Sequence, residues 1–380
     1  MSATISSTGG PLKKKPSALP DRPFAVRTFF LLLAFSAAST TRNFAQTSPA
    51  SFPGPEPPRI ARDLSSRTGD FANQDETDVF ILFERAGHLI LRDSSGAEHP
   101  VNPLQFVKKG DQTSFTYASK DPESAWVLAF EQRGADPIWQ IFTQIGPYHR
   151  LSYSVPAGST NIVRVKPVRP LAEIRKEALA ATAPQEKGHF RKSELVELAT
   201  LDHAIHLDIR YATSDDFLGT PVYTQARAFL QRPAAEALVR AVHRLQTYGF
   251  GLLIYDGYRP WYVTKIFWDA TGPEGKIFVA DPAQGSRHNR GCAVDLSLYD
   301  LKTDQPVEMT GLYDEMSPRS FPDYPGGTSL QRWRRDLLRW AMESEGFTVY
   351  ESEWWHFDYQ DWREYAIENI PFEKLDIAKR

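Results

Sequence analysis

The chain has 380 residues with a formal net charge of −3, from 44 Lys and Arg against 47 Asp and Glu, and 41% of it is hydrophobic. Balanced charge without a long basic run gives no electrostatic basis for nucleic-acid binding, and the length leaves room for two domains behind an extension. The only cysteine, Cys292, excludes an internal disulfide framework and a cysteine-rich zinc knuckle, so a metal would have to be held by histidine and carboxylate.

In chain order, Lys13 to Lys15, Arg22 and Arg27 precede the apolar run Thr28 to Ala38, and small and polar residues follow to Ala45. Charge, a short apolar stretch and then small residues predict a secretory signal over 1–45, hence a periplasmic or secreted protein. The run is shorter than the roughly 20 apolar residues of an ordinary spanning helix; an uncleaved signal anchoring the protein to a membrane is the alternative. Residues 46–75 begin rich in Ser and Pro and read as a disordered linker.

Residues 76–168 read as an all-β accessory domain. "VFILFERAGHLILRDSSGAEHPV" alternates apolar and polar residues around Ala86-Gly87 and Ser94-Ser95-Gly96, and "WVLAFEQRGADPIWQIFTQIG" does so around Arg133-Gly134. Short strands at this spacing predict a small sandwich or barrel. The module is expected to bind or position something that the sequence does not specify, with the cell wall one candidate contact. Its scattered histidines, His88, His99 and His149, read as ordinary surface or turn residues. A Pro-bounded helical linker follows over 169–190.

From 191 to 380 the pattern changes to mixed helices and strands. Ile205, Leu207, Ile209 and Tyr211 alternate as a half-buried strand. Ala235, Leu238, Val242 and Leu245 form a helical stripe ending near Gly249, before the buried strand of "GLLIYDGYRP". Leu330, Trp333, Leu337, Trp340 and Ala341 form a second stripe, followed by the strand "FTVYESEWWHFDY". The expected fold is α+β, a mainly antiparallel sheet with flanking helices.

The chemistry concentrates in two stretches of this domain. In "GSRHNRGCAVDLSLYD", Asp295 shares a strand face with Ala293 and Ser297, opposite Val294, Leu296 and Leu298. A carboxylate on the small-residue face of an apolar strand points into a cavity or needs a partner. His288 lies across the glycine turn, and "ESEWWHF" adds Glu353 and His356. Hydrolytic zinc takes three protein ligands and keeps a fourth position for water. His288, Asp295 and His356 are therefore candidate ligands for one Zn2+ per chain, with Glu353 the candidate base that moves a proton from the bound water to the leaving amine. An ExxH pair alone arises readily by chance, and a core histidine bonded to a carbonyl is the bland alternative.

Five motifs, "IRYATSDDFLG", "DGYRP", "SRHNRGCAVDLSLY", "MTGLYDEM" and "EWWHF", together resemble the D-alanyl-D-alanine dipeptidases, a branch of zinc peptidases that also includes D,D-carboxypeptidases. The resemblance covers roughly residues 192 to 375. The family pattern S-x-H-x-x-G-x-A-x-D is met by Ser286, His288, Gly291, Ala293 and Asp295 without a gap. The resemblance implies hydrolysis of D-Ala-D-Ala to two D-alanines by a zinc-bound water, with the metal on His288, Asp295 and His356 and Glu353 as base. It further implies that Arg259 stabilises the oxyanion, that Asp314 holds the substrate ammonium, and that Tyr211 and Ser286 bind the substrate's ends. Trp354 and Trp355 read as packing and pocket wall.

Two features depart from the compact family pattern, the β module and the signal. Export would separate the enzyme from the cytosolic dipeptide pool and points to recycling or scavenging of dipeptides in the cell envelope. Cys292 stands where the family usually has Ser or Thr and reads as a small buried hydrophobe. A D,D-carboxypeptidase acting on peptidoglycan stem peptides is one alternative, which an ammonium-binding Asp314 opposes. The other is a catalytically silent zinc- or wall-binding protein, opposed by the presence of both Glu353 and Arg259.

Overall fold

A computed structural model describes residues 52, 54–119, 126–133, 138, 140–154 and 164–375. The expected signal, residues 1–45, lies outside these, as does Gly134 of the expected Arg133-Gly134 turn. No helix among the described residues is long and apolar enough to cross a membrane.

The N-terminal module is a closed, antiparallel barrel of eight strands in chain order: β1 (Gly69–Ala72), β2 (Val79–Arg85), β3 (His88–Arg92), β4 (Glu98–Lys109), β5 (Gln112–Ser119), β6 (Val127–Arg133), β7 (Gln140–Thr143) and β8 (Gly146–Arg150). Alternate residues fill it: Phe80 and Leu82, Leu89 and Leu91, Phe115 and Tyr117, Leu128 and Phe130 all point into one core. At the β2–β3 turn Ala86 and Gly87 have φ of 50° and 81°. Paired positive values are what a two-residue hairpin needs to match the strand twist.

The barrel begins earlier than the sequence suggests. A helical turn, Arg62–Ser65, and the whole of β1 fall within 46–75, the stretch expected to be a linker. Four residues, "GDFA", are too short to show alternation, and β1 is specified by its two neighbours: it pairs with β2 and closes the barrel on β8.

After helix α1 (Leu171–Ala180) the chain builds the second module. Its main sheet runs β10 (Ile205–Leu207), β12 (Phe250–Asp256), β13 (Ala293–Asp300), β16 (Glu353–Tyr359), β15 (Phe347–Tyr350), with β14 (Gln305–Pro306) also paired to β13. Only β10–β12 is parallel, so the sheet is mainly antiparallel. β9 (Leu195–Glu197) and β11 (Phe229–Gln231) form a separate ribbon. Helices α2 (Arg232–Gln246) and α4 (Ser329–Glu343) pack on one another and on β12 and β15, and α3 (Trp261–Ala270) packs on α1. The predicted stripe of α2, Ala235, Leu238, Val242 and Leu245, is fully buried. In α4 the stripe is buried at Leu330, Leu337 and Ala341, while Trp333 and Trp340 are only partly covered.

Two expected strands differ from the structure. Ile205, Ile209 and Tyr211 are buried and Leu207 half-buried, but the strand ends at Leu207, and Tyr211 sits in a 3-10 turn, Arg210–Ala212. "FTVYESEWWHFDY" is two strands, because Glu351 and Ser352 turn β15 back into β16.

Candidate active site

The antiparallel register between β13 and β16 sets Asp295 directly opposite His356. On the other side of β13, Asp256 of β12 also pairs with Asp295, although Ile254 pairs with Leu296. Two residues of β12 thus oppose one of β13, a bulge at Tyr255. Without it Tyr255 would face Asp295, so the bulge turns Asp256 onto the site. Three polar residues thus stand in a row across three strands.

His288 reaches the row from a 3-10 turn, His288–Arg290, which ends at Gly291 with φ 67°. A side chain at Gly291 would be strained by that φ and would also meet Leu195 at 2.5 Å. His288 Nε2 lies 3.3 Å from Asp295 Oδ1, His356 Nδ1 lies 3.0 Å from the same oxygen, and the two nitrogens are 3.1 Å apart. All three residues are buried.

The outer nitrogens are fixed. His288 Nδ1 is 2.7 Å from the Gly257 carbonyl oxygen, which can only accept, so Nδ1 carries the proton and Nε2 offers a lone pair. His356 Nε2 is 3.0 Å from Asp358 Oδ1, and Arg287 in turn holds Asp358 at 2.9 Å. Tyr313 donates to Asp295 Oδ2 at 3.1 Å, whereas the buried Asp295 Oδ1 has no hydrogen-bond partner of regular geometry among the described residues.

This donor set fits a metal ion. Ligands about 2.0–2.1 Å from one tetrahedral ion stand roughly 3.3 Å apart, close to the spacings observed. Electron-rich atoms packed this tightly around an unpartnered carboxylate oxygen repel one another unless a cation or proton lies among them. The electrostatics say the same. Burial opposes charge on Asp295, but His288 and His356 outweigh it and hold the carboxyl well below its usual range. Burial also opposes charge on His356, yet Asp295 and Asp358 raise it to about 10. The pocket stabilises positive charge.

Around the triad lies a cavity of about 480 Å³. Glu353 lines it, with Oε2 3.7 Å from His356 Nδ1. A regular strand would put residues three apart on opposite faces. Here the pairing jumps from Val349–Phe357 to Tyr350–Glu353, and this irregularity returns Glu353 to the site face. Burial, reinforced by Asp295, pushes its carboxyl up to about 7 against the pull of His356.

Arg259 is buried, with Nε bonded to Asp256 Oδ2 at 2.8 Å and Nη2 3.7 Å from Asp295. Its guanidinium lies over the rings of Tyr211 and Phe267, at 5.3 and 5.0 Å. Asp256 is itself fixed by Tyr223 and by the Gly257 amide.

Asp314 reaches the cavity from the loop after β14, with φ 55° and an Oδ2 that is shielded from solvent and has no hydrogen-bond partner among the described residues. Burial and then Asp295 push its carboxyl well above the ordinary range, an environment that a cationic group would relieve. Tyr211 and Ser286 line the same cavity, but Ser286 also accepts from the His288 amide at 3.2 Å and so shapes the turn. Trp355 is a cavity wall and Trp354 is core. Cys292 is fully buried, and burial raises its thiol. All eight sequence-predicted site residues therefore meet at one cavity.

Sequence reasoning missed Asp256, Tyr313 and Asp358, which hold Arg259, Asp295 and His356. Asp358 had a signal, two positions after His356 on the same strand face. The other two lay inside quoted motifs, but their roles depend on a bulge and a loop.

The peptidase family M15 profile described as D-ala-D-ala dipeptidase matches residues 191–373. The chain is 36% identical over 166 residues to the D-alanyl-D-alanine dipeptidase of Escherichia coli (strain K12), covering 84% of that protein and 44% of this one. It is 35% identical over 177 residues to the D-alanyl-D-alanine dipeptidase of Enterococcus faecium, covering 88% of the relative and 42% of this chain. The Streptomyces coelicolor enzyme of the same name is 35% identical over 171 residues, with 85% and 40% covered. The chain belongs to the D-alanyl-D-alanine dipeptidase family. It is a hydrolase of the dipeptidase class, and the family match begins only after the barrel and α1.

Proposed function

We propose that the protein is a zinc-dependent dipeptidase that cleaves D-Ala-D-Ala into two D-alanines in the cell envelope. The observation that carries this reading is the meeting of His288 Nε2, Asp295 Oδ1 and His356 Nδ1 within 4.8 Å in a cavity also lined by Glu353, Arg259 and Asp314. Zinc held by the triad would supply a Lewis acid and a water made acidic enough to attack near neutral pH.

The chain's own residues do the rest. Glu353 takes the proton of the attacking water and delivers it to the departing amine as the C–N bond breaks. Arg259, pinned through Nε, turns its remaining N–H groups toward the negative charge that develops on the carbonyl oxygen. Asp314 takes the substrate's free ammonium, which selects a free dipeptide over an internal peptide. Tyr211 and Ser286 contact the substrate's ends. Export is supported by the signal-like order of residues 1–45 and assigns the enzyme to released peptidoglycan dipeptides.

Purified protein incubated with D-Ala-D-Ala, L-Ala-L-Ala and a pentapeptide ending in D-Ala-D-Ala, with and without zinc, tests the reading. Zinc-dependent cleavage of D-Ala-D-Ala alone is expected. Preferential cleavage of the pentapeptide would replace it with a carboxypeptidase.

A further inference from the structure

The loop that carries Asp314 is tied internally and then tied again to the barrel. Inside it, Glu315 accepts from the Leu312 amide at 2.7 Å and from Ser317 Oγ at 2.5 Å, and Arg319 Nε donates to the Thr310 carbonyl at 3.1 Å. Five further hydrogen bonds lead out of the family domain, to three points: Tyr153, Asp70 and Glu84. Arg319 Nη1 donates to the carbonyl of Tyr153, just past β8, at 3.0 Å. Tyr324 donates its hydroxyl to Asp70 on β1. Glu84 on β2 binds both sides of the junction with α4: its amide donates to the Gly327 carbonyl at 3.0 Å, and its carboxylate accepts from the Ser329 amide at 2.7 Å. Arg332 Nη2 closes on the Glu84 carbonyl at 2.6 Å.

Asp70, Glu84, Glu315, Arg319 and Tyr324 are all buried. Buried charges are costly to desolvate, so these ties hold one arrangement of the loop and penalise others. Asp314, Glu315, Met316 and Ser320 from this loop line the cavity. Asp314 also holds a φ of 55°, in the left-handed region that few residues besides glycine, asparagine and aspartate adopt. The three relatives named above are covered over 84–88% of their length by the C-terminal module, and what remains of each of these three is shorter than the barrel.

We propose that the barrel is a positioning element of the dipeptide site: Asp70, Glu84 and the Tyr153 carbonyl fix the loop from Thr310 to Gly327 so that Asp314 faces the substrate's ammonium. This rests on the ammonium-binding role of Asp314 given above. The barrel residues touch no substrate and act through the loop.

The test uses the full-length zinc-loaded protein with Tyr324→Phe and Glu84→Gln, each a small change that preserves packing. Both should raise KM for D-Ala-D-Ala by about five- to fiftyfold with kcat within about twofold, as expected when binding alone is loosened. Zinc content should stay at one per chain. Amide hydrogen exchange should quicken across residues 310–327 while α2 is unaffected. In an Asp314→Asn background, Tyr324→Phe should add no further rise in KM, because the carboxylate it positions is gone.

Unchanged KM in both variants overturns the proposal, even if exchange quickens or thermal stability falls. So does an equal KM rise with and without Asp314. Wild-type protein that fails to cleave D-Ala-D-Ala would sink the functional reading instead, and exchange across 310–327 alone would then decide whether the barrel fixes the loop.

Discussion

Asp295 Oδ1 is the atom on which the site turns, a buried carboxylate oxygen with two imidazole nitrogens 3.0 and 3.3 Å from it. Replacing His288 or His356 with alanine removes a ligand and should abolish stoichiometric zinc in elemental analysis. Glu353→Ala should keep the zinc and lose at least about a hundredfold in turnover, the scale of a general base. Near-normal turnover would move the role to another carboxylate. Asp314 makes a second prediction. N-acetylation of D-Ala-D-Ala removes its cation and strands the carboxylate, costing about 2–4 kcal/mol, so cleavage should fall by about 30- to 1,000-fold. Asp314→Asn should narrow that gap, as comparative kcat/KM values would reveal; equal cleavage of free and acetylated dipeptide by the wild type refutes the ammonium role. At this scale the sequence was informative. The small-residue face of β13 exposed Asp295, and the motif match brought in its partners. The sequence was silent where a backbone irregularity decides the outcome: period two places Glu353 and His356 on opposite faces, and only the break in pairing after Val349 reunites them.

The joint between β1 and the loop before α4 has its own signature among the elements. Burial pushes Asp70 up to about 6, against hydrogen bonds from Tyr324 and Tyr153 and the charge of Arg319, with Glu315 adding to the rise. Arg150 also lies in its field. A carboxyl with a raised folded pKa favours the folded state while protonated. The benefit is whole below the unfolded value near 3.8 and is lost as pH climbs through about 6. A shift of this size corresponds to about 3 kcal/mol. Asp70→Asn keeps the acceptor for Tyr324 but cannot ionise. It should raise Tm relative to wild type at pH 7–8 and have little effect near pH 4. Equal Tm differences at both ends of a thermal-melt series would remove Asp70 from the account. Neither this joint nor β1 was legible in the sequence. "GDFA" alternates over too few residues to announce a strand, and its partners on β8 and at Tyr324 are separated from it by many residues. Helix α2 was legible from its stripe alone, because its stability comes from one continuous apolar face.

Across the whole molecule, a family hydrolase module is joined to a barrel that the family match does not reach. The order of elements and the change from all-β to mixed structure could be read from periodicity. Closure of the barrel could not, since it depends on pairing between the first strand and the last. The N-terminal segment supplies the prediction at this scale. Residues 1–60 fused to a reporter active only outside the cytoplasm should yield activity; a reporter active only when cytoplasmic should stay silent. The reverse result would return the enzyme to the cytosolic dipeptide pool.

The row formed by Asp256, Asp295 and His356 also bears on the order of events in folding. Its members come from three strands, and His288 joins them from a turn 68 residues before His356. Contacts this distant in sequence form late, because loop closure must precede them. A collapsing chain would therefore offer a metal only the local pair His288 and Asp295, seven residues apart, without His356 to complete the set. A metal taken up by the triad would then meet a cage the sheet has already spaced, and its binding energy would add to the stability of the finished protein without guiding the path toward it.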